Sequence, residues 1–262
     1  MTEPQPPFVS RTDRDGVATL LLDRGDRLNP LSSGMLSALA SELEHVRSDA
    51  SVRAVVLAGA GKHFCAGHDL AEMRANPSRD FQAALFESCR EVMLALVSLP
   101  QPVVARVHGA AVAAGCQLVA TCDLAVASEK ATFALPGIKA GIFCTTPGVA
   151  VARNLPRKRA FELLVTGDPI DAATAERWGL VNRVVPPEDL DAEVERLARK
   201  IAGHSPAVVR LGKRLFYEQV DAPLGAAYAL ASDGMVGNMG MEDAAEGIDA
   251  FLARRPPEWR GR

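Results

Sequence analysis

Residues able to ligate a metal or move a proton crowd into one loop, His63-Phe-Cys-Ala-Gly-His-Asp-Leu70, which offers His63, Cys65, His68 and Asp69. A metal centre is poorly supported, because no second cluster at ligand spacing follows and His45, His108 and His204 stand alone. The better-supported chemistry uses the main chain. A glycine-rich loop that leaves a strand and turns tightly at Ala66-Gly67 presents backbone N–H groups at the mouth of a fold. The stretch Pro102 to Asp123, PVVARVHGAAVAAGCQLVATCD, supplies a possible counterpart. Its apolar run (Val103, Val104, Val107) breaks at Gly109, crosses small residues and enters a helix near Ala113. Such a helix start leaves unpaired N–H groups at the positive end of the dipole, and Ala and Gly let a ligand approach them. Taken alone, this stretch reads equally well as a tightly packed strand–helix junction. Paired with the first loop, it supplies two donors converging on one oxygen, the arrangement that stabilises an oxyanion.

The elements that must position these loops can be read along the chain. Residues 8 to 22 form two short strands around the turn dipeptide Asp15-Gly16. A polar loop, Asp23 to Asn29, precedes a helix capped by Ser32 or Ser33 and running to about Arg47. Val52 to Leu57 is a strand that empties into the glycine-rich loop. A helix spans about Arg79 to Val97, and strands follow the central stretch at Asp123 to Ala127 and Thr132 to Ala134. This alternation implies parallel pairing with crossover connections. From Pro156 onward the pattern is helical, over 157–165, 171–178, 187–203, 205–220, 222–236 and 241–254, with one strand near Val181 to Val185. We divide the chain into an α/β core, residues 1–200, and a helical oligomerisation region, residues 201–262. The Ala-, Gly- and Met-rich segment Ala226 to Met241 suits a close helix contact between subunits.

Composition narrows the function classes. The 262 residues are 48% hydrophobic and can bury a large core. A net charge of −3, with acids and bases mixed, gives no reason to expect nucleic acid or a membrane surface as partner. The start, MTEPQPPFVS, lacks the basic and apolar regions of a secretory signal. Five cysteines (Cys65, Cys89, Cys116, Cys122, Cys144), odd in number and without CxxC pairing, fit reduced thiols and a cytoplasmic enzyme. Gly59-x-Gly61 continues into Lys62-His63 with neither a dinucleotide fingerprint nor a P-loop, so no bound cofactor is expected.

The two loops together are recognisable. VVLAGAGKHFCAGHDL followed by PVVARVHGAAVAAGCQLVATCDLAVAS resembles the crotonase (enoyl-CoA hydratase/isomerase) superfamily. ATFALPGIKAGIF, ELLVTGDPIDAATAERWGLVNRVV and EGIDAFLARRPPEW continue the resemblance in order over nearly the whole chain. GHDL and GIFCTTPGVAVAR look most like its enoyl-CoA hydratase domain-containing 3 branch. The resemblance implies an α/β fold of the ClpP/crotonase type, a spiral of repeated ββα units with a C-terminal helical trimerisation region. It implies a homotrimer or dimer of trimers acting on acyl-CoA thioesters, with CoA entering as part of the substrate. The thioester carbonyl is then polarised by the N–H groups of His68 and Ala114. Leu28, Ala66, Asp69 and Leu70 match positions that wrap CoA; Arg24 and Arg27 are phosphate candidates, and Arg254 matches a basic position offered by a neighbouring subunit.

The departures carry as much information. Hydratases of the family use two glutamates, a pair suited to general acid–base addition of water. The first position is Gln117 here, and the second, after Phe133-Ala134-Leu135-Pro136, is Gly137. A third position, aspartate in some isomerases and dehalogenases of the family, is Thr145. None of the three titrates near neutrality. Four readings remain open: a relocated base, with His68 the candidate; chemistry needing an enolate but little acid–base help, such as decarboxylation or thioester cleavage; acyl-CoA binding without turnover; and Cys144 as nucleophile, against which stands a buried inert thiol. Leu28, Phe64, His68, Met73, Leu135, Ile142 and Phe143 are expected as pocket walls, with Phe86, Met93 and Leu94 either lining the acyl end or belonging to the core.

Overall fold

The hairpin expected at Asp15-Gly16 forms between β1 (Val9–Arg14) and β2 (Val17–Leu22). Asp15 (φ 51) and Gly16 (φ 78) both take the left-handed backbone that a two-residue turn needs. The computed structural model describes residues 7–262. Strand β2 pairs in parallel with β3 (Ala54–Gly59), and β4 (Val103–Val107), β6 (Leu124–Ser128) and β9 (Arg183–Val185) extend the sheet in the order β1-β2-β3-β4-β6-β9. A second sheet has the order β5-β7-β8, from Ala110–Val112, Thr132–Ala134 and Ile170–Asp171. Consecutive strands thus alternate between sheets: β4 enters the large one and β5 the small one, then β6 and β7 repeat the move. That alternation is the ββα spiral.

The helices follow from the strands' two faces. Every residue of β3 is buried. Val55 and Leu57 face the core closed by α1 (Ser33–Ser48) and α3 (Arg79–Ser98), whereas Ala54 and Val56 face α8 (Leu190–Ala202). A strand covered on both faces reads as an unbroken apolar run, as VVLAG does. Ser32 caps α1, its hydroxyl accepting from the Met35 N–H at 3.2 Å. Short elements escaped the sequence reading: α2 (Leu70–Ala75), β5, β8 and α5 (Thr145–Asn154). The remaining helices are α4 (Ala114–Thr121), α6 (Arg157–Thr166), α7 (Ala172–Trp178), α9 (Pro206–Gln219), α10 (Leu224–Met239) and α11 (Glu242–Leu252). The expected single helix over 187–203 begins with a 3-10 turn, Pro187–Asp189, before α8.

A buried polar knot ties α9 to the core. Asp123 accepts from the Val103 N–H at 2.6 Å, from the Lys213 ammonium at 2.7 Å and from the Tyr217 hydroxyl at 2.8 Å. Lys213 also donates to the carbonyls of Leu96 and Gln101, so all three ammonium protons are used. The outer helices are different. Helix α10 leaves Leu224, Tyr228, Met235, Val236 and Met239 exposed, and α11 leaves Phe251 82% exposed. Among the described residues no helix is long and apolar enough to cross a membrane.

Candidate active site

The loop after β3 is stitched down on both sides. Phe64 and Cys65 N–H groups donate to the Ala110 carbonyl, and the Val112 N–H donates back to the Cys65 carbonyl. On the other flank the Ala66 N–H donates to the Leu28 carbonyl at 3.0 Å, and the Leu31 N–H to the Gly67 carbonyl at 2.8 Å. The loop therefore carries Gly67 and His68 at a fixed position against β5 and the start of α4.

Two backbone features meet there. Gly67 adopts φ +89, and a Cβ placed on it would lie 2.9 Å from the Ala113 Cβ, 3.0 Å from the Val112 oxygen and 3.2 Å from the Ala114 nitrogen. Only glycine fits both the conformation and the space. Ala113 takes φ 50 and ψ −116 as the cap of α4, a strained backbone for a residue with a Cβ, costing about 1–3 kcal/mol. Gly115, in the first turn, packs directly on the Cys65 carbonyl. The Gly67-His68 peptide and the N-terminus of α4 are thus in contact. Among the described residues neither the His68 N–H nor the Ala114 N–H has an acceptor. Ala114 stands in the first turn, where helical donors have no intrahelical partner and the dipole is positive.

The positions at which the resemblance expects acids, 117, 137 and 145, carry no carboxylate. His68 Nδ1 lies 3.0 Å from the Leu31 carbonyl, which fixes the proton on Nδ1 and leaves Nε2 an acceptor. Nε2 is buried with no partner among the described residues, and the ring meets Phe86 of α3 edge-on at 5.3 Å between centroids. Burial pushes the His68 pKa below the ordinary imidazole value, with the Leu31 carbonyl and Glu72 opposing. Gln117 is buried in α4, its N–H bonded to the Ala113 carbonyl and its Oε1 without a donor among the described residues. Gly137 has no room for any side chain. A Cβ there would run into the Ile142 carbonyl and lie 2.7 Å from Cys144 Sγ. Thr145 is exposed at the first position of α5. Cys144 is buried and burial raises its pKa, so it is a poor nucleophile.

The loop's four potential ligands serve separate ends. His63 Nδ1 accepts from the Ala110 N–H, Cys65 is core, His68 is held by Leu31, and Asp69 caps α2 by accepting from the Ala71 and Glu72 N–H groups. Beside this loop lies a cleft of about 940 Å³ lined by Arg24, Arg27, Asp69 and Glu72 among others. Arg27 sits 3.4 Å from Asp69 and is largely exposed. Arg24 lies over the Phe8 ring at 4.0 Å and donates to the Pro7 and Asp23 carbonyls, so its charge is partly engaged. Leu28 (φ 65) and Leu70 are exposed and Ala66 is half-buried, and none of the three is among the residues lining this cleft. Arg254, past the end of α11, is exposed and is not among the residues lining this cleft. Of the expected pocket walls, Phe64 and Leu135 belong to the core, while Ile142 and Phe143 are exposed; of the residues left open between acyl lining and core, Met93 is core and Leu94 is exposed.

Sequence reasoning missed Asn29. It is fully buried at φ 52, its Nδ2 donating to the carbonyls of Ala60, His63 and Phe64 while Oδ1 accepts from the Arg24 N–H. One amide therefore shapes the start of the His68 loop. The available signal was the turn-forming Asn-Pro dipeptide at 29–30.

A family comparison settles the wider assignment. The sequence profile of the Enoyl-CoA hydratase/isomerase family matches residues 12–262. The chain belongs to that family. It is 45% identical over 258 residues to the mouse mitochondrial protein named enoyl-CoA hydratase domain-containing protein 3, covering 98% of this chain and 86% of the relative. It is 35% identical to the 2,3-dehydroadipyl-CoA hydratase of Escherichia coli, over 97% of this chain and 98% of that one. The solved enoyl-CoA hydratase of Mycobacterium smegmatis superimposes with a TM-score of 0.95 at 53% identity, covering 97% of this chain and 99% of that one. Human enoyl-CoA hydratase domain-containing protein 3 gives a TM-score of 0.94 at 46% identity, covering 96% and 100%. The spiral fold and the resemblance to that branch are therefore established. The cytoplasmic expectation is corrected: the mouse, rat and human relatives are all named mitochondrial. Free buried thiols, on which that expectation rested, do not distinguish one reducing compartment from another.

Proposed function

We propose that this protein is an acyl-CoA enzyme that holds a thioester enolate between the His68 and Ala114 N–H groups and obtains its proton transfer from solvent rather than from a carboxylate. The observation that carries this is a contrast within one site. Gly67 is packed against Ala114 so that two unclaimed donors adjoin, while the second glutamate position is sealed at Gly137. Decarboxylation of a 2-carboxyacyl thioester fits such a site. The 2-carboxylate leaves as CO2, the pair of the broken C–C bond becomes the enolate, the two donors bear its charge, and a solvent proton completes the α-carbon. Each donor of this kind lowers a barrier by about 3 kcal/mol. Asp69, Arg27 and Arg24, which line the adjoining cleft, would receive the CoA portion together with the neighbouring Leu28, Ala66 and Leu70. No separate cofactor is required.

A second reading is favoured by one observation. His68 Nε2 is an unprotonated, unpartnered acceptor, and as a relocated base it would allow hydration of an enoyl thioester. The exposed apolar faces of α10 and α11 support a homotrimer, or a dimer of trimers, with Arg254 of one subunit meeting the CoA of another. Turnover of crotonyl-CoA and of methylmalonyl-CoA by wild type and Gln117→Glu separates the readings. CO2 release from the carboxylated thioester with little loss of enoyl absorbance supports the first. Ordinary hydration by wild type, abolished by His68→Phe, supports the second. Tight binding of both thioesters without turnover would make the chain an acyl-CoA-binding protein and overturn both.

A further inference from the structure

We infer that the cleft at the N-terminal edge of strands β3 and β4 is a second ligand site, built for a small phosphorylated metabolite that carries a hydroxyl group. The carboxyl ends of these strands feed the loops of His68 and Ala114, so this cleft lies at the opposite edge of the sheet. It encloses about 420 Å³ between residues 47–53, Pro100-Gln101, the start of α9 and the tail Trp259–Gly261. Nothing in the acyl-CoA reading uses it.

Its charge is one-sided. Arg47, Arg53, Arg210 and Arg260 line it against a single lining carboxylate, Asp49, which already accepts from Arg11 at 2.6 Å, while Arg47 is also paired with Glu44 at 3.3 Å. Two of the guanidinium groups are held in place by the fold. Arg47 donates to the Ser98 carbonyl at 3.1 Å and hydroxyl at 3.0 Å, and Arg53 donates to the Ala202 carbonyl at 3.3 Å. Arg260 is 4.0 Å from Glu242. Arg210 is exposed and has no acceptor among the described residues. The positive end of α9, a helix of 14 residues, begins at the cleft wall with Pro206. Planar guanidinium groups so gathered favour phosphate, which accepts paired hydrogen bonds from them.

The second observation is a buried acceptor. Gln101 lines the cleft, is only 7% exposed, and donates through Nε2 to the Val46 and Val52 carbonyls. Reversing the amide would set oxygen against those two carbonyls, so its orientation is fixed. Oε1 is left buried with no donor among the described residues. A buried acceptor without a partner is costly, and a ligand hydroxyl beside the phosphate supplies the donor. Inorganic phosphate carries its P–O–H on the same phosphorus that the arginines hold, whereas a hydroxyl on a carbon chain can reach past it to Gln101.

The test is calorimetric titration of the full chain with inorganic phosphate, glycerol 3-phosphate and adenosine 5′-monophosphate. One of the two hydroxylated phosphates is expected to bind once per chain, about tenfold tighter than inorganic phosphate. Arg210→Ala should weaken it about fivefold or more, and Arg210→Ala with Arg260→Ala should abolish it, both side chains being too exposed to matter for folding. Arg27→Ala, in the cleft beside the His68 loop, should leave it unchanged. Whichever hydroxylated phosphate binds tighter identifies the ligand as a nucleotide or a simple polyol phosphate. The inference is overturned by no saturable binding at millimolar ligand, by equal affinity for inorganic phosphate, or by sensitivity to Arg27→Ala in place of Arg210→Ala. A changed oligomeric mass in Arg210→Ala would equally overturn it, because the cleft would then be a subunit contact.

Discussion

The two halves of the candidate site are built from different material. The half proposed to hold the oxyanion is backbone: the Gly67 turn, the strained Ala113 and the first N–H of α4, locked by contacts with no room for a methyl group. The acid–base half would be side chain, and each of the three positions that the family resemblance assigns to it is non-ionisable here, as Gln117, Gly137 and Thr145. Backbone donors can be lost only by disturbing the packing that holds the loops. A side-chain base disappears with one substitution while the fold stays whole. At Gly137 the Ile142 carbonyl and Cys144 also occupy the space that a glutamate side chain would need.

The sharpest way to break this contrast is to attack the backbone half. Gly67→Val forces a branched side chain into φ +89 and against the Ala113 and Ala114 backbone, and should lower turnover about 100- to 1000-fold with little change in circular dichroism. The two positions at which the resemblance expects glutamate should then respond differently when one is introduced. Gln117→Glu is isosteric and should express a stable protein with increased hydration of crotonyl-CoA. Gly137→Glu should instead destabilise by about 1–3 kcal/mol in urea titration and gain no activity, because the slot is filled. Asn29→Ala removes the amide that serves three loop carbonyls and should cost about 1–3 kcal/mol, with a larger rise in KM than fall in kcat.

The smallest effect expected is one of pH. His68 has a folded-state pKa below its unfolded value of about 6.5, so the unfolded chain binds the proton first. Stability associated with this group is complete above pH 6.5 and falls as the pH drops below it. His68→Phe should flatten that part of the stability profile.

Much of this was legible in the residues. The Asp15-Gly16 turn, the doubly buried run of β3 and the Ser32 cap each follow from local rules that the structure obeys. The turn at Gly67 and the helix start at Ala114 were legible too, although the central stretch by itself read equally well as a packed strand–helix junction. What escaped was set by tertiary contact. Helix α5 carries Pro147-Gly148 in its first turn, a pairing that reads as a loop, yet proline is tolerated there. Ala113 at φ 50 contradicts its own preference and is held only by its neighbours. Phe64 and Leu135 looked like pocket walls because nothing in an apolar residue's type tells a wall from a core. Asn29 sat in a stretch whose polarity suggested a solvated loop, and its burial depends on three carbonyls brought in from the next loop.

The most direct test of the donor pair does not require turnover. A conjugated enoyl-CoA thioester absorbs at longer wavelength when its carbonyl is polarised, so its spectrum can be recorded on binding to wild type, Gly67→Val and Gln117→Glu. A red shift in wild type and Gln117→Glu that vanishes in Gly67→Val is the predicted result. Binding of the thioester to wild type with no shift would contradict the account, because the His68 and Ala114 N–H groups would then not meet on the carbonyl oxygen.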